Sequence, residues 1–586
     1  MAKKEKESGK TIATKQNKRY NIHNMDNLKR DFKNVYYHRG YLFLLSLVAA
    51  CGYGFKIAHP VMGIDDTPYA YYFEEGLAAV VGRWVLFVVN KIFAIAEFAP
   101  FMTDFLAVLL FMAAVTVWGL LFYAVLGDRI PVYGYWLFSC VFLSCPLVAE
   151  VFTYYLHNGI ACGYLFCGIS LYLLLDAFYS MEARRLGHLC GRLSLAVAAM
   201  TVAMGCYESF MIVWLSGALL LLLAQRLAGE RRWLIRKLLL TALAACGGMV
   251  LRAVVLKVVT AVFGLGYLKG DAIQRSLGEM VGWMLQPGAF SEFAMILKRL
   301  YVMYGVFAYA YLPIRIFVLA AVVLLCFGLW RSVKQRDPWI FLLLIGAFVA
   351  AFLLAFVEGK ATLYRSAQFV PLFCGMGMLF AAYALEGYAR RLRESNLALP
   401  YRHLLIHVPT ALFGLAAAVI LWNQCTDLNH WFYVDYQKYQ YSVTYMDRVA
   451  DALEADYAIH KPIVFTGEWE NPKSLVQDAY VSYNSPVFFR MKRLTDPVDA
   501  HLLEKFYRDY GVWVAQTPSL SVISWGKYAF DNDAQLIKFM ELHGHSFRPL
   551  TDSAEYEQAE QYALQMPHFP QEGSIEDVGD YIIVHF

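Results

Sequence analysis

The chain has 586 residues, of which 59% are hydrophobic, 16% aromatic and 17% charged, with a formal net charge of +4. That is more apolar surface than soluble, domain-sized cores can hide, so the composition excludes an ordinary soluble protein or a disordered one and indicates a polytopic α-helical membrane protein. The small, uneven charge also excludes a nucleic-acid-binding module.

Residues 1–40 hold eleven Lys or Arg against four acids and no apolar stretch of signal-peptide type, which reads as a solvated cytoplasmic tail. Apolar runs able to cross about 30 Å of hydrocarbon follow near 41–58, 101–126, 132–150, 159–178, 193–206, 209–225, 238–262, 312–330, 339–357, 369–387 and 404–423. That reading gives eleven spans, of which 193–206 and 209–225 are the shortest. The tail and the connections GDRIP, MEARRLGHLCGR, QRLAGERRWLIRK, RSVKQRDP and EGYARRLRESNLALPYRH fall on one side, and each carries Arg or Lys, which marks that side as cytoplasmic. An odd number of crossings then leaves the N-terminus inside and the C-terminus outside.

The outer side receives GIDDTPYAYYFEEG with Asp65-Asp66, within a first external loop at 59–100. It also receives the turns VFTYYLHNG and CYES, a connection from about 263 to 311, and EGKATLYRSAQ. After Cys425, the last of eleven cysteines, the character changes: amphipathic spacing over 435–458 and in DPVDAHLLEKFYRDYG alternates with strand-like KPIVFTGEW, SVISW and DYIIVHF. Residues 426–586 are therefore expected to form an external α/β domain beside a membrane domain at 41–425. The cysteines lie in apolar helices without metal-ligand spacing and read as packing residues.

Ionisable residues concentrate at the outer ends of the spans: Asp104, Glu150, Glu208, Glu358 and Arg365, with Arg252 and Lys257 in the outer half of the seventh. Charges beside hydrocarbon usually line a wet cavity enclosed by protein. Two adjacent carboxylates at a membrane surface are costly unless water, a cation or a reacting group uses them, so Asp65 and Asp66 nominate a reaction centre and also a ligand pair for Mg²⁺ or Mn²⁺. In the next segment Arg83, Asn90 and Glu97 are seven apart and would share one stripe of a helix, with Arg83 turned to the cavity. Arg83, Arg365 and Lys360 are the candidate phosphate ligands on this side, since guanidinium groups bind phosphate oxygens bidentately; Lys298, Arg299 and Arg315 add further positive charge. Tyr155, His157, Asn158, Tyr207 and Glu208 are of the types that hold sugar hydroxyls.

The order of a basic tail, one span, an external Asp-Asp, a Gly-Arg-Trp and an Arg in a late external loop resembles the GtrII-like membrane glucosyltransferases, a branch of the GT-C superfamily. The carriers are GIDDTPYAYY, VVGRWVLF and LYRSAQFV, and the likeness covers roughly residues 41–425. It implies transfer of a hexose such as glucose from a polyprenyl-phosphate donor to a surface polysaccharide or glycopolymer, outside the cytoplasmic membrane of a bacterium. On this reading Asp65 or Asp66 is the general base, Arg83, Arg365 and Lys360 meet the departing phosphate, and displacement is single and inverting. The implied partners are membrane lipid, the lipid-linked donor and the glycan acceptor, with a donor-synthesising membrane transferase and a flippase acting before it. No cofactor beyond that divalent ion is implied. Two other classes fit less well. A polysaccharide polymerase or ligase relies on arginines in large external loops, and a lipid-linked sugar transporter would carry repeat symmetry and broken helices at midplane.

Overall fold

The structure is a computed structural model that describes residues 25–61, 79, 82–92, 100–152, 157–264, 282–305, 312–359, 364–394, 401–457, 460–469, 530 and 532–586. The helices are α1 Met25–Val35, α2 Arg39–Ala58, α3 Trp84–Ile92, α4 Pro100–Leu126, α5 Val132–Leu143, α6 His157–Glu182, α7 Leu186–Cys206, α8 Phe210–Leu227 and α9 Leu234–Val262. They continue as α10 Ala289–Tyr304, α11 Leu312–Gln335, α12 Pro338–Ala351, α13 Leu353–Glu358, α14 Phe369–Glu394, α15 Arg402–Asp456, α16 Asp533–Leu542 and α17 Ser553–Ala563.

Among the described residues nine helices (α2, α4, α6, α7, α8, α9, α11, α14 and α15) are long and apolar enough to cross a membrane, and α5 and α12 are shorter apolar helices. Every apolar run of the sequence coincides with one of these helices, including the two short runs, which extend to α7 and α8. The protein is thus a helical, polytopic membrane protein by its composition and its helices. At its centre, helix backbones approach through buried indoles whose N–H groups are satisfied internally. Trp118 Nε1 donates to the Tyr164 carbonyl at 2.9 Å, and Trp214 Nε1 donates to Ser170 Oγ at 2.8 Å. Inside hydrocarbon an unpaired N–H would cost several kcal/mol, so these pairings fix which helix faces meet. By contrast α9 turns Leu239, Leu243, Val250, Val254 and Val258 outward, as a helix facing lipid does.

Polar groups gather at two opposite ends of the bundle. One end holds a network of buried ions: Arg226 Nη2 lies 2.5 Å from Asp337 Oδ1, Lys237 Nζ lies 2.8 Å from Glu182 Oε1, and Lys237 Nζ also donates to Gln225 Oε1 at 3.1 Å. Arg192 Nε reaches Asp176 Oδ2 at 2.8 Å nearby. The other end is formed by the C-terminus of α2, the N-termini of α4 and α6, the α7–α8 turn and the N-terminus of α14.

The last helix does not stop at Cys425. α15 runs 55 residues through that point to Asp456, far more than the ~20 residues a bilayer needs. Its last turns pack through Met446, Val449, Ala450 and Leu453 into the same core as a small sheet. The sheet has strands β1 Pro462–Thr466, β2 Arg548–Pro549, β3 Ile575–Asp577 and β4 Ile582–His585 in the order β2-β1-β4-β3. β1 is parallel to β2 and β4, and β3 is antiparallel to β4. Successive residues of a strand point to opposite faces, so Ile463 and Phe465 join the core with α15 and α16 while Val464 packs with Ala559 and Ala563 of α17. Both faces of the parallel pair are covered, as a parallel sheet requires. DPVDAHLLEKFYRDYG and SVISW lie outside the described residues.

Candidate active site

The site grows from a glycine. Gly82 has φ +94°, and a Cβ there would lie 2.6 Å from Arg252 Nη2 and 2.9 Å from Glu208 Oε1. Only glycine combines that backbone conformation with that approach. The break at Gly82 sets the start of α3 at Trp84, so Arg83 precedes the helix that carries Asn90. The apolar run continues on both sides of Gly82-Arg83, which hides the turn from a periodicity argument. Asn90 lies on α3 with its side chain outside the described set, and Glu97 lies outside the described residues.

Three contacts pin this turn. Trp84 lies over Gly205 near the end of α7, where a Cβ would sit 2.5 Å from the indole. Phe87 meets Phe263, just beyond α9, edge to face at 4.9 Å. Arg252, in the second half of α9, donates from Nη2 to the Gly82 carbonyl at 3.3 Å and lies 2.6 Å from Glu208 Oε1. With Gly82 held this way, the Arg83 guanidinium carbon stands 4.3 Å from the centre of the Tyr207 ring, a cation–π contact. Arg83 has no ion pair, and its buried Nε no hydrogen bond, among the described residues.

Tyr207 and Glu208 are in the turn between α7 and α8. The extended backbone of Tyr207 ends α7, and the turn closes with Phe210 N donating to the Tyr207 carbonyl at 3.1 Å. The next residue couples this turn to the late loop. Buried Ser209 Oγ donates to Gln368 Oε1 at 2.7 Å, Gln368 Nε2 donates to the Arg365 carbonyl at 3.3 Å, and Tyr164 Oη donates to the Gln368 carbonyl at 2.7 Å. Arg365 itself is half-buried in the single helical turn Tyr364–Ser366. The Gly-Arg-Trp turn, the Tyr-Glu turn and the late Arg loop therefore converge on one end of the bundle.

A buried ion pair lies at the same end, between residues that flank the acid pair in the chain. Lys56, in the last turn of α2, has its Nζ 3.8 Å from Asp104 Oδ2 in the first turns of α4 and donates to the Val61 carbonyl at 3.4 Å. Asp65, Asp66, Tyr155 and Lys360 lie outside the described residues. His157 and Asn158 open α6, at the same end, with side chains outside the described set, as is that of Glu150. Lys257 is exposed on α9. Among the described residues no group of three or more His, Cys, Asp or Glu comes together that could hold a metal ion.

Sequence reasoning noted Arg252 only as an intramembrane charge and passed over Ser209 and Gln368. The signal for Gln368 is its place in LYRSAQFV; Ser209 and Gln368, 159 positions apart, carry no local pattern that pairs them.

Neither the curated proteins nor the solved structures contain a match to the chain. The family model of glucosyl transferase GtrII matches residues 54–382, more than half of the chain and a range that includes the residues of this site from Lys56 to Gln368. The chain belongs to the GtrII glucosyltransferase family, a glycosyltransferase family.

Proposed function

We propose that the protein transfers a hexose such as glucose from a polyprenyl-phosphate donor to a surface polysaccharide or glycopolymer on the outer side of a bacterial cytoplasmic membrane. The observation that carries this reading is the arginine over Tyr207: a guanidinium with no carboxylate partner among the described residues, fixed at a helix-end cluster beside the loop that bears Arg365. A cation held this way suits a phosphate that gains charge as it leaves. Asp65 or Asp66 takes the proton from the acceptor hydroxyl, and the other carboxylate orients the acceptor or holds Mg²⁺ or Mn²⁺. Lys360 adds to the phosphate site, and Tyr155, His157, Asn158 and Tyr207 contact sugar hydroxyls. The sugar reacts by single displacement with inversion. The arginine- and lysine-rich connections face the cytoplasm, and the sheet with the far end of α15 lies outside.

The compartment supports the donor class. Nucleotide sugars remain in the cytosol, so a site on the outer face needs a donor that has crossed as a lipid. In vesicles loaded with a polyprenyl-phosphate hexose, Asp65→Asn and Asp66→Asn should insert normally, and at least one should abolish transfer; full transfer by both would overturn the assigned base. Activity that survives EDTA would remove the divalent ion.

A further inference from the structure

We infer that Arg252 is a positioning residue whose task is to occupy Glu208 and so leave Arg83 without a carboxylate partner among the described residues. The inference rests on the proposed role of Arg83 for its consequence in the reaction, but the charge arrangement itself stands on geometry. Glu208 Oε1 lies within 2.9 Å of where a Gly82 Cβ would be, so this carboxylate is beside the residue that precedes Arg83. Arg83 in turn lies over the ring of Tyr207, the residue that precedes Glu208. The residues that bear the Glu208 carboxylate and the Arg83 guanidinium therefore lie side by side, and opposite charges at a half-buried site attract. What keeps them apart is a second guanidinium. Arg252 takes the carboxylate at 2.6 Å and uses the same nitrogen to hold the Gly82 carbonyl at 3.3 Å.

The arrangement also explains why an arginine sits within a span at a cost that lipid-facing α9 would otherwise avoid. Arg252 and Glu208 cancel, which among the described charges beside Gly82 leaves that of Arg83. Without Arg252, Glu208 is released to pair with Arg83. An Arg83 paired with a carboxylate has lost the donors that a phosphate needs.

Arg252→Gln tests this, because the amide can still donate to the Gly82 carbonyl while the charge is gone. The readout is modification of Arg83 by phenylglyoxal in the detergent-solubilised full chain, mapped by peptide mass spectrometry. Arg83 should react readily in the wild type and about tenfold more slowly in Arg252→Gln, and should recover in the double variant Arg252→Gln/Glu208→Gln. Arg252→Lys keeps the charge and should keep Arg83 reactive, so the inference stays testable if Arg252→Gln fails to fold. Unchanged reactivity in Arg252→Gln, no recovery in the double variant, or loss of reactivity in Arg252→Lys would each overturn it. In the transfer assay the KM for the lipid-linked donor should rise and recover in the same pattern. A wild type that transfers nothing from a polyprenyl-phosphate hexose, while the reactivity pattern holds, would sink the proposed reaction and leave this charge arrangement intact.

Discussion

Ser209 Oγ donates to Gln368 Oε1 across 2.7 Å, and this bond joins the turn that presents Tyr207 to the loop that presents Arg365. Both partners are buried, so removing one leaves the other without its hydrogen bond. Ser209→Ala should therefore lower stability by about 1–3 kcal/mol, read as a fall in melting temperature of the solubilised protein. Gln368→Leu should do the same and, by releasing the Arg365 carbonyl, also raise the KM for donor.

Arg83→Lys keeps a charge but loses the planar fork and the stacking on Tyr207. It should weaken donor use by about tenfold or more in kcat/KM while acceptor KM changes little. Arg365→Ala is expected to follow the same split. Equal effects on donor and acceptor would argue against a phosphate role for either.

Gly82→Ala forces a Cβ to within 2.6 Å of Arg252 Nη2 at a φ of +94°. Strain of this kind costs about 1–3 kcal/mol and must displace the Arg252 side chain or the turn itself. Membrane insertion should be normal and transfer strongly reduced, with Arg83 less reactive toward phenylglyoxal.

Lys56 and Asp104 are both buried and 3.8 Å apart. Lys56→Met leaves the Asp104 charge without that partner and should destabilise by about 3–5 kcal/mol, whereas Lys56→Met/Asp104→Leu should lie closer to the wild type. Thermal melts of the three proteins compare them directly. A single variant as stable as the double would show the pair to be unimportant.

In the sheet, the Lys461 ammonium donates to Asp577 Oδ2 at 2.6 Å and to Oδ1 at 2.7 Å, and with the Gly579 N–H it holds that carboxyl below its usual range. A depressed carboxylate pKa contributes stability that is complete above the unfolded value of about 4 and fades as the pH falls through the lower folded value. The wild type should thus lose its advantage over Lys461→Met on acidification below about pH 4, and an advantage that grew there would contradict the pairing.

Sequence by itself determined where the helices are. Hydrophobic length is a local property, so each apolar run could be located and each coincides with a helix, even α7 and α8, whose apolar windows looked short. The strands in KPIVFTGEW and DYIIVHF were legible for the same reason, since a short buried β-branched run flanked by turn residues needs no partner to be recognised. Gly-Arg-Trp and the late Arg loop were also visible as patterns, and they match a family whose model spans them.

Tertiary structure decided which of these residues act together. The turn at Gly82 is invisible to periodicity because apolar residues continue on both sides, and it moved Arg83 off the helix that Asn90 occupies. Arg252 and Glu208 are 44 positions apart and Ser209 and Gln368 159 apart, each pair on different elements. Such pairings depend on how helices pack, and side-chain spacing along one helix contains no information about the face that a second helix will present to it.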